Sequence, residues 1–156
     1  GSTTWPGGRS VTHRSAAETH AAVLRELAIE TIRDHGIDVH ETGTVVVIQG
    51  PRFSTKAESK WFSDAGWEVI NMTQYPEAWL CRELGMAVVN IALITDYDAG
   101  VHEGTEAVNA MSVLEVLAQN AERTQAVVLA LSGHFPADLH APGGAASSYP
   151  NEPPGT

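Results

Sequence analysis

Short apolar runs alternate along the chain with longer segments whose apolar residues recur at helical spacing. The short runs are rich in Val and Ile and are typical of buried strands. They cover residues 44–49, 68–71 and 87–95. The helical spacing covers residues 15–36, 55–66, 76–85 and 105–131. The predicted order is therefore α-β-α-β-α-β-α, which indicates an α/β fold.

Local signals mark where these elements begin and end. Residues 15–18 and 55–58 both match the capping box, in which a hydroxyl residue and a following glutamate satisfy the first backbone donors of a helix. Pro76 suits the first turn of the third helix. Glycines stand where the first three helices are expected to end, at positions 36, 66 and 85.

We expect a mostly parallel or mixed central sheet flanked by helices, because strands that alternate with helices favour parallel pairing. A chain of 156 residues is long enough for one core and too short for two full domains. Residues 1–136 are therefore predicted to belong to one domain. Residues 137–156 are rich in Pro, Gly, Ser and Ala and are predicted to form a flexible tail.

Charge and composition exclude several classes of partner. The formal net charge of −10, from 19 acidic and 9 basic residues, disfavours nucleic acid and acidic membranes and favours a small-molecule partner. No low-charge apolar run approaches the roughly 18 residues of a membrane span, and no secretory signal is visible, so we expect a cytoplasmic protein. The seven histidines and the single cysteine form no metal-ligand cluster, so no metal is expected.

Three polar motifs follow the three predicted strands. They occupy residues 50–59, 71–73 and 95–98. In parallel sheets ligands bind beyond the carboxyl ends of the strands, so we expect these motifs to lie close together. They would assemble an aromatic ring, a thioether, a hydroxyl and two carboxylates, which suit a purine nucleoside and an inorganic anion.

The first two motifs each allow a structural and a functional interpretation. Phe53 can stack on a purine, for about 1–3 kcal/mol, or cover the sheet edge as a core residue. Thr73 can bind an oxyanion at a helix N-terminus or act as an ordinary helix cap. Met72 can pack under a sugar or fill the core. Ser54 is explained by its position beside the helix cap at Thr55.

The third motif carries two carboxylates with one residue between them. Asp96 and Asp98 can accept hydrogen bonds from an exocyclic amino group. A carboxyl group in a partly desolvated crevice can also protonate a leaving group. The alternative is a pair of Asx turns that end the strand.

These motifs closely resemble those of the 5'-methylthioadenosine phosphorylases, which belong to the trimeric purine nucleoside phosphorylases. The matching stretches are GPRFST with AES, VINMT with PEA, and TDYD. The resemblance runs almost continuously from about residue 13 to residue 131 and covers only the C-terminal half of that family.

The resemblance implies phosphorolysis of 5'-methylthioadenosine to adenine and 5-methylthioribose 1-phosphate in purine salvage, with inorganic phosphate as co-substrate and no cofactor. By matching position, Phe53 would stack on the base and Met72 would pack under the ribose. Thr73 would bind phosphate. Asp96 would serve N7 of the purine, and Asp98 would lie near the 6-amino group. A homotrimer is also implied.

Two positions match the pattern of relatives that take 6-aminopurines. Relatives that prefer 6-oxopurines carry Glu at the position of Ser54 and Asn at that of Asp96. An amide can donate to a 6-oxo group, whereas an ionised carboxylate only accepts. Ala110 matches a histidine that reads the 5'-hydroxyl in those relatives, and it would leave room for a methylthio group. His13 matches a residue that approaches the 5' substituent from a neighbouring subunit.

The glycine-containing phosphate loop and the Arg-His pair of the family's N-terminal half have no counterpart in this sequence. Two alternatives therefore stay open beside the methylthioadenosine activity. One is a related phosphorylase for adenosine or 6-oxopurine nucleosides. The other is a non-catalytic purine-binding fragment.

Overall fold

The computed structural model describes residues 10–13, 17–98, 110–137, 139 and 147–150. Four helices and four strands lie within these ranges. The helices are α1 (Ala22–Asp34), α2 (Lys56–Asp64), α3 (Gln74–Glu83) and α4 (Ala110–Ser132). The strands are β1 (Ser10–His13), β2 (Val45–Val47), β3 (Val69–Asn71) and β4 (Ser147–Pro150).

A βαβ unit forms the part of the fold that carries the first two motifs. β2 and β3 pair in parallel, with Val46 opposite Ile70 and Val47 opposite Asn71. The backbone N–H of Ile48 extends this pairing by donating to the carbonyl of Asn71 at 2.9 Å. Helix α2 makes the crossover that parallel strands require. The α/β class is thus confirmed, and the carboxyl ends of both strands lie at one edge.

The predicted limits of α2 and α3 are confirmed. Thr55 caps α2 and forms the complete capping box with Glu58. The regular turns of α3 begin at Pro76, because Tyr75 is extended (φ −108°, ψ 127°), as expected for a residue before proline. The first three helices are followed by glycines with positive φ: Gly36 (66°), Gly66 (75°) and Gly85 (73°).

The predicted start of the first helix at residue 15 is wrong, because α1 begins at Ala22. Its N-cap, Ala21, has no side chain that could cap the helix. The backbone N–H of Ala21 instead donates to the carbonyl of Val88 at 2.8 Å. A tertiary hydrogen bond therefore sets this boundary, and the capping-box pattern upstream does not.

The predicted strand over residues 87–95 is also wrong, because this segment forms no strand. An apolar β-branched run signals burial, but a strand also needs a neighbour for its backbone N–H and C=O groups. Within the described residues no strand pairs with this segment. Ile91 (39% exposed), Leu93 (38%) and Ile94 (53%) accordingly keep large exposed fractions.

A second strand pair was not predicted from the sequence. β1 and β4 pair antiparallel, with Ser10 opposite Pro150 and His13 opposite Ser147. β4 thus lies within residues 137–156, for which no regular structure was expected, while the predicted flexibility of that segment stays a prediction. Residues 105–109, the predicted beginning of the last helix, lie outside the described residues.

Part of the core lies between α1 and α4. Leu24, Ala28 and Ile32 recur at helical spacing on the buried face of α1. α1 lies against α4, whose buried residues are Val127 and Leu131. Among the helices in the described part of the chain, none combines the length and apolar character needed to cross a membrane.

Candidate active site

The loop between β2 and α2 brings the first motif against the second. Gly50 lies so close to Met72 that a Cβ atom at position 50 would stand 3.1 Å from the Met72 sulfur. Such a distance forces the neighbour to shift, so glycine suits this position sterically. The half-buried thioether of Met72 consequently lies beside the loop that carries Phe53.

A hydrogen bond between side chains joins the first motif to the third. The hydroxyl of Ser54 donates to Oδ1 of Asp98 at 2.7 Å, across 44 residues of sequence. Both side chains are half-buried. Although residues 95–98 do not end a regular strand, they reach the same edge as the other two motifs. The predicted convergence of the three motifs is therefore present in the structure.

Phe53 does not occupy the core. Its side chain is 43% exposed, so the alternative of a core phenylalanine does not describe it. Its neighbour in sequence, Ser54, bonds to Asp98, so Phe53 belongs to the loop that joins the first motif to the third. An exposed aromatic ring can stack on a planar base.

Thr73 holds the N-cap position of α3, but its hydroxyl makes no capping hydrogen bond. The backbone N–H of Gln74 instead donates to Oδ1 of Asn71 at 3.4 Å. Thr73 is also exposed. Because Tyr75 interrupts the helical turns, Thr73 lies three residues before the regular turns of α3 begin at Pro76, and its hydroxyl is not used to cap them.

Asp96 is half-buried and accepts a hydrogen bond from its neighbour Thr95. The hydroxyl of Thr95 donates to Oδ2 of Asp96 at 2.7 Å. The other acid of this motif, Asp98, is held by Ser54. Each of the two carboxylates thus accepts a hydrogen bond from a different hydroxyl group.

The contacts described above form a cluster of motif residues, namely Gly50, Ser54, Met72, Asp96 and Asp98. None of these contacts includes Ala110 or His13. Ala110 is the first residue of α4 and is exposed. His13 is the last residue of β1, where it pairs with Ser147. Their predicted roles near the 5' substituent stay predictions.

Arg52 and Glu58 form an ion pair beside the cluster. The guanidinium donates to both carboxylate oxygens of Glu58, at 2.7 and 2.8 Å, and to the carbonyl of Phe53 at 3.1 Å. These bonds with Arg52, followed by those from the backbone and hydroxyl of Thr55, lower the pKa of Glu58 to about 2. Arg52 is thus engaged in holding the loop that carries Phe53.

We expect Glu58 to titrate near pH 2, well below its ordinary value of 4.5. Because its pKa is lowered by folding, its contribution to stability is complete above about pH 4.5 and is lost as the pH falls toward 2. A carbon-detected NMR titration of the carboxyl group measures this directly. Arg52→Met should move the midpoint upward.

A matched control for this titration is Lys60→Met, which removes the ion pair between Lys60 and Asp64 on the same helix. The Glu58 midpoint should stay unchanged in that variant. An upward shift of equal size in both variants would contradict the assignment to Arg52 and indicate a general effect of net charge.

Three residues that contact the motif side chains had no role assigned from the sequence, although Ser59 and Thr95 lie within the motifs. Ser59 lies within hydrogen-bond distance of Ser54, and Thr95 bonds to Asp96. His20 contacts the side chain of Gln74, next to Thr73. Burial, with a smaller contribution from Arg25, lowers the pKa of His20. Thr95 was recognisable as a neighbour of Asp96, whereas the contact of His20, 54 residues from Gln74, has no local signal.

Comparison with known proteins adds a family match. The model of the phosphorylase superfamily matches residues 3–132. The chain is 46% identical over 122 residues to S-methyl-5'-thioadenosine phosphorylase of Pyrococcus abyssi, covering 78% of this chain and 46% of that relative. It is 39% identical over 128 residues to purine nucleoside phosphorylase of Streptomyces coelicolor, covering 82% of this chain and 45% of that relative.

A solved structure supports the same relationship. Methylthioadenosine phosphorylase from Schistosoma mansoni, in complex with adenine, matches with a TM-score of 0.75 and 30% identity. The match covers 83% of this chain and 51% of that structure. The chain thus spans about half the length of the relatives it matches.

Proposed function

Because the chain belongs to the phosphorylase superfamily, we propose that it carries the base and ribose side of a site that phosphorolyses 5'-methylthioadenosine. The observation that carries this proposal is the hydrogen bond between Ser54 and Asp98, together with the close approach of Gly50 to Met72. These contacts gather the three motifs that the family resemblance assigns to the nucleoside.

In the proposed reaction, phosphate attacks the anomeric carbon while the bond from that carbon to N9 of adenine breaks. Positive charge develops on the sugar, and the electrons of the broken bond pass to the purine. Asp96 delivers a proton to N7, so that neutral adenine leaves with 5-methylthioribose 1-phosphate as the second product. Such a group acts by stabilising charge that develops on the base in the transition state.

The remaining side chains bind and orient the nucleoside. Phe53 stacks on the base, and Met72 forms an apolar wall under the ribose. Asp98, held by Ser54, accepts from the 6-amino group of the purine. Phosphate binds at Thr73, whose hydroxyl is not used for capping.

The hydrogen-bonding capacity of the carboxylates supports a preference for 6-aminopurine nucleosides over 6-oxopurine nucleosides. An ionised Asp98 accepts a hydrogen bond from a 6-amino group but cannot donate one to a 6-oxo group. Asp96 and Ser54 both follow the 6-amino pattern of the family, and the small side chain of Ala110 would leave room for a methylthio group if it lies near the 5' position, as the resemblance implies. The similarity to a purine nucleoside phosphorylase keeps adenosine and 6-oxopurine nucleosides as the second candidate substrates.

The complete protein in this proposal is a cytoplasmic homotrimer that acts in purine salvage. The chain spans about half the length of its relatives, and we propose that the rest of the domain supplies further phosphate ligands. It would also pair with residues 87–95 and cover the apolar groove of about 520 Å³ between Leu93 and α4.

The deciding experiment measures release of adenine from 5'-methylthioadenosine with and without inorganic phosphate. Phosphate-dependent release, with formation of 5-methylthioribose 1-phosphate, is the expected result. Faster release from inosine would favour the second candidate. Adenine binding without turnover would favour a purine-binding fragment. The assay should be run on this chain and on the polypeptide as the cell makes it, identified by intact mass.

Replacing Thr73 by valine should raise the KM for phosphate about tenfold, because one hydrogen bond to a charged group is lost. The KM for the nucleoside should change less than twofold. A matched control is Thr44→Val, an exposed threonine at the opposite end of β2. Steady-state kinetics at varied phosphate separates the two effects. An equal rise in both KM values would contradict a phosphate-specific role.

A further inference from the structure

Among the described buried residues, Ser59 has the lowest exposed fraction, 1%. It lies on α2 directly after Glu58 of the capping box, and although it belongs to the first motif, no role was assigned to it from the sequence. Its hydroxyl stands 3.1 Å from the Ser54 hydroxyl and 3.0 Å from the carbonyl of Thr55. It therefore connects the helix to the group that holds Asp98.

The direction of the hydrogen bonds follows from counting protons. A serine hydroxyl has one proton to donate, and an ionised carboxylate can only accept. Ser54 must therefore use its proton on Asp98, 2.7 Å away. Ser54 can then meet Ser59 only as an acceptor, so the proton between the two serines comes from Ser59.

A competing acceptor lies on the same helix. The carbonyl of Thr55, four residues before Ser59, is the ordinary acceptor for a helical serine. The two acceptors lie at nearly equal distances, so the single proton of Ser59 is shared between them. The bond to Thr55 fixes the rotamer of Ser59, which keeps its hydroxyl directed at Ser54 in the buried interior.

We propose that Ser59 is a positioning residue for Asp98, through a chain of hydrogen bonds that runs from Ser59 to Ser54 to Asp98. This inference rests on the proposed function and deepens it, because it names what holds the acceptor for the 6-amino group. With Ser59 in place, the Ser54 hydroxyl is fixed as a donor to Asp98. Without it, the Ser54 hydroxyl can rotate, and its hydrogen bond to Asp98 is no longer fixed.

The test is Ser59→Ala, with Ser63→Ala as the matched control because Ser63 is exposed on the same helix. In Ser59→Ala the KM for 5'-methylthioadenosine should rise about fivefold, as expected for one lost hydrogen bond. The kcat should stay within about twofold, and the preference for 6-amino over 6-oxo nucleosides should fall. Ser63→Ala should leave the KM, the kcat and the substrate preference unchanged.

A double variant separates positioning from packing. If Ser59 acts through Ser54, Ser54→Ala/Ser59→Ala should be no worse than Ser54→Ala alone. A merely structural role would lower the melting temperature and leave the substrate preference unchanged. Additive effects, or an unchanged preference in Ser59→Ala, would overturn the proposal. Ser59→Cys keeps the volume and a weak donor, and should recover part of the loss.

Adenine binding distinguishes failure of this inference from failure of the proposed function. If the wild-type chain shows no phosphorolysis, calorimetry with adenine and hypoxanthine still tests Ser59. Weaker adenine binding in Ser59→Ala, with hypoxanthine binding unchanged, would support the positioning role without turnover. Absence of adenine binding by the wild-type chain would overturn both proposals.

Discussion

Asp96→Asn is expected to lower kcat/KM for phosphorolysis of 5'-methylthioadenosine by about 100-fold or more, the usual contribution of a positioned general acid. An amide has no acidic proton to deliver to N7, although it has nearly the same shape as a carboxyl group. The hydrogen bond from Thr95 to Asp96 can be kept by the amide oxygen. The loss should therefore appear mainly in kcat, which steady-state kinetics measures.

The substitution should also change which nucleoside is preferred. An asparagine amide can donate to a 6-oxo group, so the rate for inosine relative to methylthioadenosine should rise. The matched control is Asp64→Asn, an exposed carboxylate on α2 that pairs with Lys60, and it should keep full activity. Wild-type rates in Asp96→Asn would contradict the acid role of Asp96.

Phe62→Ala should lower the free energy of unfolding by about 3–5 kcal/mol, the usual cost of removing a buried phenylalanine. Phe62 is 5% exposed, and its ring lies 5.6 Å from Trp61 and 6.0 Å from Trp67. Domains are stable by only about 5–15 kcal/mol, so this loss is a large part of the total. Urea unfolding of the wild-type chain and of the variant, fitted with a common m-value, measures this loss of free energy of unfolding.

Trp61 provides the control, because it is adjacent in sequence and larger but 62% exposed. Trp61→Ala should cost about 1 kcal/mol, mostly from lost ring contacts. Phe62→Leu should fall between the two alanine variants and keeps the comparison possible if Phe62→Ala does not fold. Equal losses for Phe62→Ala and Trp61→Ala would show that burial does not decide stability here.

Local sequence signals predicted the parts of the fold that depend on near neighbours. The capping box of Thr55 and Glu58 is present because both partners lie within one helical turn. Tyr75 is extended because the following proline restricts it. The start of α1 was predicted wrongly because Ala21 bonds to Val88, a partner 67 residues away that no local pattern reveals.

In the candidate site, too, the local sequence identified the residue types, whereas contacts between distant residues depend on the fold. The motif residues were found in the sequence because each follows an apolar run and carries recognisable chemistry. Phe53 and Thr73 each had two interpretations until their environment was known. The structure shows that Phe53 is exposed and that the Thr73 hydroxyl makes no capping bond, while their roles toward a nucleoside and phosphate stay predictions. Ser59 lies within the first motif but had no role assigned, because nothing in the local sequence indicates its contact with the Ser54 hydroxyl.

The sequence by itself determined the α/β class, the family and the residue types available for a nucleoside, because these depend on periodicity and local chemistry. The tertiary structure decided which groups meet: Ser54 with Asp98, Gly50 with Met72, and Ser59 with Ser54. It also showed that residues 87–95 form no strand, although their composition favours one. Hydrogen bonds and packing across long sequence separations are properties of the folded chain, so no local pattern specifies them.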